Sequence, residues 1–301
     1  MLQRQFPEVM PRIASGLVGE GSECFGFDDE LSRDHDFGAG FCIWLSDADY
    51  ERYGTQMAQE YDMLPNYMGE TTRISNLPNF QINHNYPKKP THTQGIQRVG
   101  VMRISDFYRR YTGMDVSPFF DKRQHIDIDW ERIPEANLAT VTNGTVFYDA
   151  SGDFTRVREM LLAYYPDFIW RKKLSARIFE MAQAGQYNYG RCLKRGDMVA
   201  AEFALARFKE ATCAVVHLLS KKYMPFYKWA YRSVGTLPKF SQIHQLLALA
   251  TVGGGDTPNI TDIPNIIEAI CLSIILEMKK QGLTNCHSTF LVDHCEFIAR
   301  S

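Results

Sequence analysis

Two aspartates two positions apart, Asp34 and Asp36, are the strongest chemical signal in this 301-residue chain. On an extended segment successive side chains alternate, so the pair faces one side. Like charges that close repel, and a divalent cation with oxygen ligands is the usual means of keeping both ionised. A Gly21-Ser22 turn precedes Asp34 by 11 intervening residues, and an apolar run, residues 41–45, follows. His35 faces away from the two aspartates, which suits a structural role. His35-Asp36 also spells the doublet of metal phosphohydrolases, but those sites draw further ligands from helices, whereas this doublet enters a strand.

The elements that must position these residues can be read in order. Residues 13–18 form a strand that leads into the glycine-rich turn 19–22. Residues 36–45 continue as a buried strand. Ser46, with Asp49 three positions on, predicts a capped helix over about 47–62. Residues 64–98 carry Pro, Asn, His and Lys without period and read as a long loop. A strand at 99–104 then precedes a helix at 106–111 that Ser105 caps and Gly113 ends. Short strands at 138–141 and 146–148 flank Asn143-Gly144, a two-residue hairpin signal. From Asp153 the character becomes helical. Helices are expected at 153–165, 167–184 (stopped by Gly185) and 197–223. The last expected helix, 263–280, carries a stripe of Ile263, Ile266, Ile267, Ile270, Ile274 and Met278. The fold class is α+β: a mixed sheet with flanking helices over 1–150, then an all-helical domain over 151–301.

Composition narrows the function classes. The chain is 45% hydrophobic and 23% charged, an ordinary globular balance, and at this length a substantial core is expected. A net charge of −2 provides no global field to recruit nucleic acid or an anionic membrane. The seven cysteines are scattered and odd in number with no CxxC, which suits free thiols in a reducing compartment. Cys286-His287 and His294-Cys295 are adjacent doublets, without the spacing of structural zinc ligands. The first residues, MLQRQFPEVMP, lack a basic-then-apolar leader pattern, and no apolar run reaches the roughly 20 residues a membrane span requires. A cytoplasmic location is expected, with no membrane partner.

The order Gly-Ser, then Asp-x-Asp on the next strand, with a helical domain behind, resembles the nucleotidyltransferase superfamily. That group includes polymerase-β-like enzymes and the aminoglycoside and lincosamide nucleotidyltransferases. The longer string GSE-x2-GFD-x3-SRDHDFG, with VFYD at 146–149 and YMPFYKW at 223–229, is similar to a bacterial subgroup of unassigned function. The resemblance implies a nucleotidyltransferase-like sheet domain, in which Gly21 and Ser22 hold a nucleoside triphosphate. Glycine permits close backbone approach, and N–H groups at such a turn make an anion-binding concavity. It implies that Asp34 and Asp36 are catalytic and hold Mg²⁺, with Mn²⁺ as the alternative.

The family supplies a third catalytic carboxylate from a later strand. Asp129 is the candidate here, with Asp149, Asp127 and Glu135 as alternatives, because residues 98–104 contain no acid. Lys228, after the helix stop at Pro225, is a further nucleotide-binding candidate: a lysine there can reach phosphates as a mobile point charge. The expected activity is transfer of a nucleoside monophosphate from an NTP to a hydroxyl of a small molecule or protein. The competing expectation is a catalytically silent nucleotide-binding or interaction module on the same fold.

Overall fold

The computed structural model describes residues 2–32, 40–64, 98–120, 128–251 and 262–300. Asp34, His35, Asp36, Asp127 and residues 65–97 of the loop expected over 64–98 lie outside these residues. The chain divides into two compact units, Met1–Ala163 and Tyr164–Ser301. It is a mixed α+β protein: the first unit carries a small sheet, and the described regular elements of the second are helical.

The first unit runs α1 (Leu2–Gln5), β1 (Ala14–Leu17), α2 (Ser22–Phe25), β2 (Cys42–Leu45), α3 (Asp47–Asp49), α4 (Thr55–Asp62), β3 (Gly100–Arg103), α5 (Ile104–Thr112), α6 (Ser117–Phe120), α7 (Glu135–Thr142), β4 (Thr145–Asp149) and α8 (Asp153–Leu162). The four strands lie in the order β3-β2-β1-β4. β1 is antiparallel to both neighbours, and β2 and β3 are parallel. All four residues of β2 are buried, as a strand enclosed on both faces should be. Its alternation divides them between two cores. Ile43 and Leu45 pack with Phe6, Val9, Ile13, Met57, Tyr61 and Val101. On the other face, Trp44 stacks on Phe154 with ring centroids 3.9 Å apart, and Phe107 meets it edge-on.

Ser46 accepts the Asp49 amide as expected of an N-cap, and the helix continues from α3 through a π-helical segment, Tyr50–Gly54, into α4. The helix after β3 starts two residues earlier than expected. Ile104 opens it, and the Ser105 hydroxyl donates to the Asp47 carboxylate instead of capping. The expected hairpin is also corrected. Residues 135–142 are the helix α7, whose Leu138, Ala139, Thr140 and Val141 are buried. The β-branched Thr140 and Thr142 fit a helix because their hydroxyls donate back to the carbonyls of Ala136 and Leu138. Asn143-Gly144 therefore turns a helix into β4 and does not join two strands. At the end of β4, the Asp149 carboxylate accepts the amides of Gly152 and Thr155 and so starts α8, while Asp153 is that helix's first residue, not its cap. α8 packs on α7 and β4, which keeps it within the first unit.

The second unit comprises α9 (Asp167–Met181), a π-helical segment (Ala182–Tyr189), α10 (Gly190–Lys194), α11 (Met198–Leu219), α12 (Tyr227–Val234), α13 (Ser241–Leu249), α14 (Ile263–Lys280) and α15 (Cys295–Arg300). Gly185 does not stop α9: the backbone stays helical through it into α10. The Asp197 carboxylate caps α11 through the Ala200 amide at 3.0 Å. α14 buries Ile263, Ile267, Ile270, Ile274 and Met278 of the expected stripe, together with Cys271 and Ile275. Among the described residues no helix is long and apolar enough to cross a membrane.

Candidate functional site

The strand register brings the Gly21-Ser22 turn, Asn143 and Arg98 to one end of the sheet. Gly16 of β1 pairs with Cys42 of β2 and Val146 of β4, and Cys42 pairs with Gly100 of β3. The end at which β1 finishes is thus the end at which the other three strands begin. Residues 19–22 leave β1 there, Asn143 and Gly144 enter β4 there, and Arg98 stands just ahead of β3. β2, the next strand in the sequence after Asp34 and Asp36, also begins at this end; the two aspartates themselves lie outside the described residues.

The turn after β1 is held from several directions. Gly21 is the N-cap of α2, and the Cys24 amide closes the first turn onto the Gly21 carbonyl at 3.1 Å. Ser22 is the first helical residue, and Gly26, in the left-handed region at φ 70°, ends the helix after one turn. Two positions upstream, the Asn143 side chain grips Gly19 on both sides. Its Oδ1 accepts the Gly19 amide at 3.0 Å, and its Nδ2 donates to the Gly19 carbonyl at 2.7 Å. The Gly144 amide donates to the Cys24 carbonyl at 2.8 Å. Gly144 itself has φ 60°, and a Cβ there would collide with the carbonyl oxygen of Leu17, so only glycine fits. Behind this pair, Arg158 of α8 donates to the carbonyls of Asn143 at 2.6 Å and Gly144 at 3.3 Å. Burial draws the Arg158 guanidinium below its ordinary pKa.

Charge around the turn is balanced by two arginines. Arg98 pairs with Glu23 at 3.0 Å, and Arg110 approaches Glu20 at 3.7 Å. Both glutamates flank Gly21, and their neutralisation removes a local repulsion toward an incoming anion. Cys24 and Cys42 offer no nucleophile: burial pushes both thiols up to about 12, so they stay protonated.

The other expected residues fall elsewhere. Asp129 does not lead into a strand. It opens a turn whose Arg132 and Ile133 amides return to its carbonyl, and its carboxylate pairs with Arg132 at 3.3 Å. Asp149 pairs with Ala14 across the sheet, which puts it at the opposite end of β4 from Asn143. Glu135 is the first residue of α7. Lys228 belongs to the second unit, exposed on α12 with its ammonium 4.9 Å from the Trp229 ring centroid. Among the described residues no group of three or more His, Cys, Asp or Glu side chains could hold a metal ion.

No local sequence pattern marks Arg98 or Arg110, and Asn143-Gly144 reads only as a turn. Asn143 and Gly19 are 124 positions apart, and only the antiparallel pairing of β1 with β4 makes them neighbours. A family model described as "Domain of unknown function (DUF4037)" matches residues 130–230. The matched stretch includes Asn143, Arg158 and Lys228 and begins well after the Gly21 turn. No curated protein and no solved structure matches the chain.

Proposed function

We propose that this chain is a divalent-metal-dependent nucleotidyltransferase that moves a nucleoside monophosphate from an NTP onto a hydroxyl of a small-molecule or protein acceptor. The observation that carries this reading is the convergence at one sheet end. The Gly21-Ser22 turn follows β1 there, and β2, the next strand in the sequence after Asp34-x-Asp36, begins there. A triphosphate lying against the turn would meet backbone N–H groups at the start of α2 and the Ser22 hydroxyl. Arg98 and Arg110, beside the same turn, are cations within its neighbourhood.

Two carboxylates and the oxygens of a triphosphate form a donor set chemically suited to Mg²⁺ or Mn²⁺, with Asp34 and Asp36 as the protein ligands. When bound, such a cation offsets the negative charge that grows on the phosphate oxygens. The acceptor oxygen forms the new bond to the α-phosphorus, the bond from that phosphorus to the bridging oxygen breaks, and pyrophosphate leaves with the bonding pair. The acceptor proton passes to a base. The chain's part is to hold the triphosphate at the turn and align it for in-line attack. The helical second unit is assigned to acceptor selection on the family resemblance.

One observation favours the silent alternative, a nucleotide-binding module without turnover. Asp129 and Asp149, two candidates for the third carboxylate, are both committed to local turns. Calorimetry with each NTP and Mg²⁺, followed by pyrophosphate release over a panel of acceptors, separates the two. Binding with turnover that disappears in Asp34→Asn and Asp36→Asn supports the enzyme. Binding without turnover, unchanged in those variants, leaves the silent module, and no binding of any NTP removes both.

A further inference from the structure

We infer that Asn143 is the positioning residue of the triphosphate turn, and that the segment from Asn143 to Arg158 is a clamp which gives residues 19–24 their shape. The inference rests on the proposed reading of the turn as the triphosphate site. The geometry comes from three independent contacts. The Asn143 carboxamide is the right length to satisfy both backbone groups of Gly19 at once, at 3.0 and 2.7 Å. Gly144, the next residue, takes hold of the same stretch at its far end through the Cys24 carbonyl at 2.8 Å. Arg158 then fixes the clamp from behind through the carbonyls of both residues.

Hydrogen bonds on both sides of Gly21, at Gly19 and at Cys24, thus set where the turn's amides point. Gly19 has φ 146°, a backbone state that side-chain-bearing residues rarely adopt, and without a partner it could exchange among several conformations. A glycine turn that must present N–H groups to phosphate gains little from that freedom, because the entropy of ordering would then fall on the binding step. Asn143 orders the turn in advance. It touches no phosphate in this account and acts only through Gly19.

The carboxamide is also the only side-chain group of this length with a donor and an acceptor side by side. An aspartate keeps the acceptor and loses the donor to the Gly19 carbonyl. An alanine loses both.

The test uses the full chain. In Asn143→Ala, amide hydrogen exchange should accelerate across residues 18–25 and stay unchanged in α14. Calorimetric affinity for Mg²⁺-NTP should weaken by roughly tenfold. Affinity for inorganic tripolyphosphate should weaken by the same factor, because the clamp acts on the phosphate turn and on no base contact. Asn143→Asp, which preserves the shape, should show both changes as well and serves where the alanine variant does not fold. Unchanged exchange at 18–25 overturns the clamp. Accelerated exchange with unchanged affinity for both ligands overturns the positioning role and leaves a purely structural one. A wild-type protein that binds neither ligand overturns the reading of the turn itself, a result visible before any variant is made, and the exchange measurement still decides whether Asn143 shapes the turn.

Discussion

The ring of Phe208 on α11 occupies the space a side chain on Gly185 would need. A Cβ at Gly185 would lie 2.7 Å from Phe208 Cε2 and 2.9 Å from Ile267 Cγ2, closer than packed atoms approach. Both neighbours are core side chains, with Phe208 fully buried and Ile267 at 1% exposure, so neither can swing aside. The absent side chain lets the π-helical segment lie directly against α11 and α14.

Gly185→Ala should therefore cost about 1–3 kcal/mol through overpacking, read as a lower thermal midpoint. Gly190 provides the control. It is helical, and a Cβ there would meet nothing within 4 Å. Gly190→Ala should leave stability unchanged or raise it by about 0.5–1 kcal/mol. Equal effects at the two glycines would refute the packing account.

Gly185 also shows where the chain resists local reading. A glycine after the expected helix 167–184 looks like a stop, since a stop and a close helix contact use the same residue type. Only the opposing Phe208 distinguishes them. Gly282 by contrast does end α14, at φ 71°, as its place after two lysines suggests. β1 and the Ile stripe of α14 are legible because their period matches their burial, and β2 because its apolar run is buried throughout. α7 is not, because Thr140, Val141 and Thr142 favour strands in isolation while the burial of Leu138 and Val141 holds them in a helix. The two aspartates and the Gly-Ser turn stand out by type and spacing. Asn143 does not, since its role exists only once β4 lies beside β1.

Two buried histidines should make the protein acid-sensitive. His217 Nδ1 lies 2.7 Å from the Cys213 carbonyl, an acceptor, so Nδ1 carries the proton and Nε2 accepts from the Ser233 hydroxyl at 2.8 Å. In the same way His294 Nε2 donates to the Ser288 carbonyl at 3.0 Å, and Nδ1 accepts from Thr284 at 2.9 Å. Burial lowers both pKa values, so each ring stays neutral when folded. A folded pKa below the unfolded one means the unfolded chain binds more protons. Stability is full above the unfolded value, about 6.5, and falls as pH drops below it toward the folded values. Melting from pH 8 to 5 should show this decline, and His217→Gln should reduce its slope. A flat profile over that range would rule out neutral buried rings.

At the end of the sheet away from the candidate site, Arg12 donates to both carboxylate oxygens of Asp49, at 2.7 and 2.9 Å. These bonds, with one from Ser46, hold the Asp49 carboxyl below the usual range. Because the folded pKa is depressed, this contribution is present at neutral pH and is lost as pH falls below about 4. Asp49→Ala should destabilise by about 2 kcal/mol in urea melts at pH 7, and by less at pH 3. It should leave NTP affinity unchanged, since Arg12 and Asp49 act at the opposite end of β1 and β2 from Gly21.

Ser22 and Lys228, each expected from the sequence to bind nucleotide, should respond differently to salt. Ser22 contributes a hydroxyl at the start of α2, a short-range bond that ionic strength barely alters. Lys228 is an exposed point charge whose ammonium rests over Trp229, so its pull on a phosphate is screened within about 10 Å at 0.1 M salt. Ser22→Ala should weaken Mg²⁺-NTP binding by roughly tenfold at every salt concentration. Lys228→Ala should weaken it by a comparable factor at low salt, and that factor should shrink as salt rises. Binding titrations across an ionic-strength series read both effects in one experiment. If Lys228→Ala binds as wild type does while Ser22→Ala is impaired, the nucleotide is held by the first unit without this lysine. If neither variant differs from wild type, the turn after β1 is not the triphosphate site.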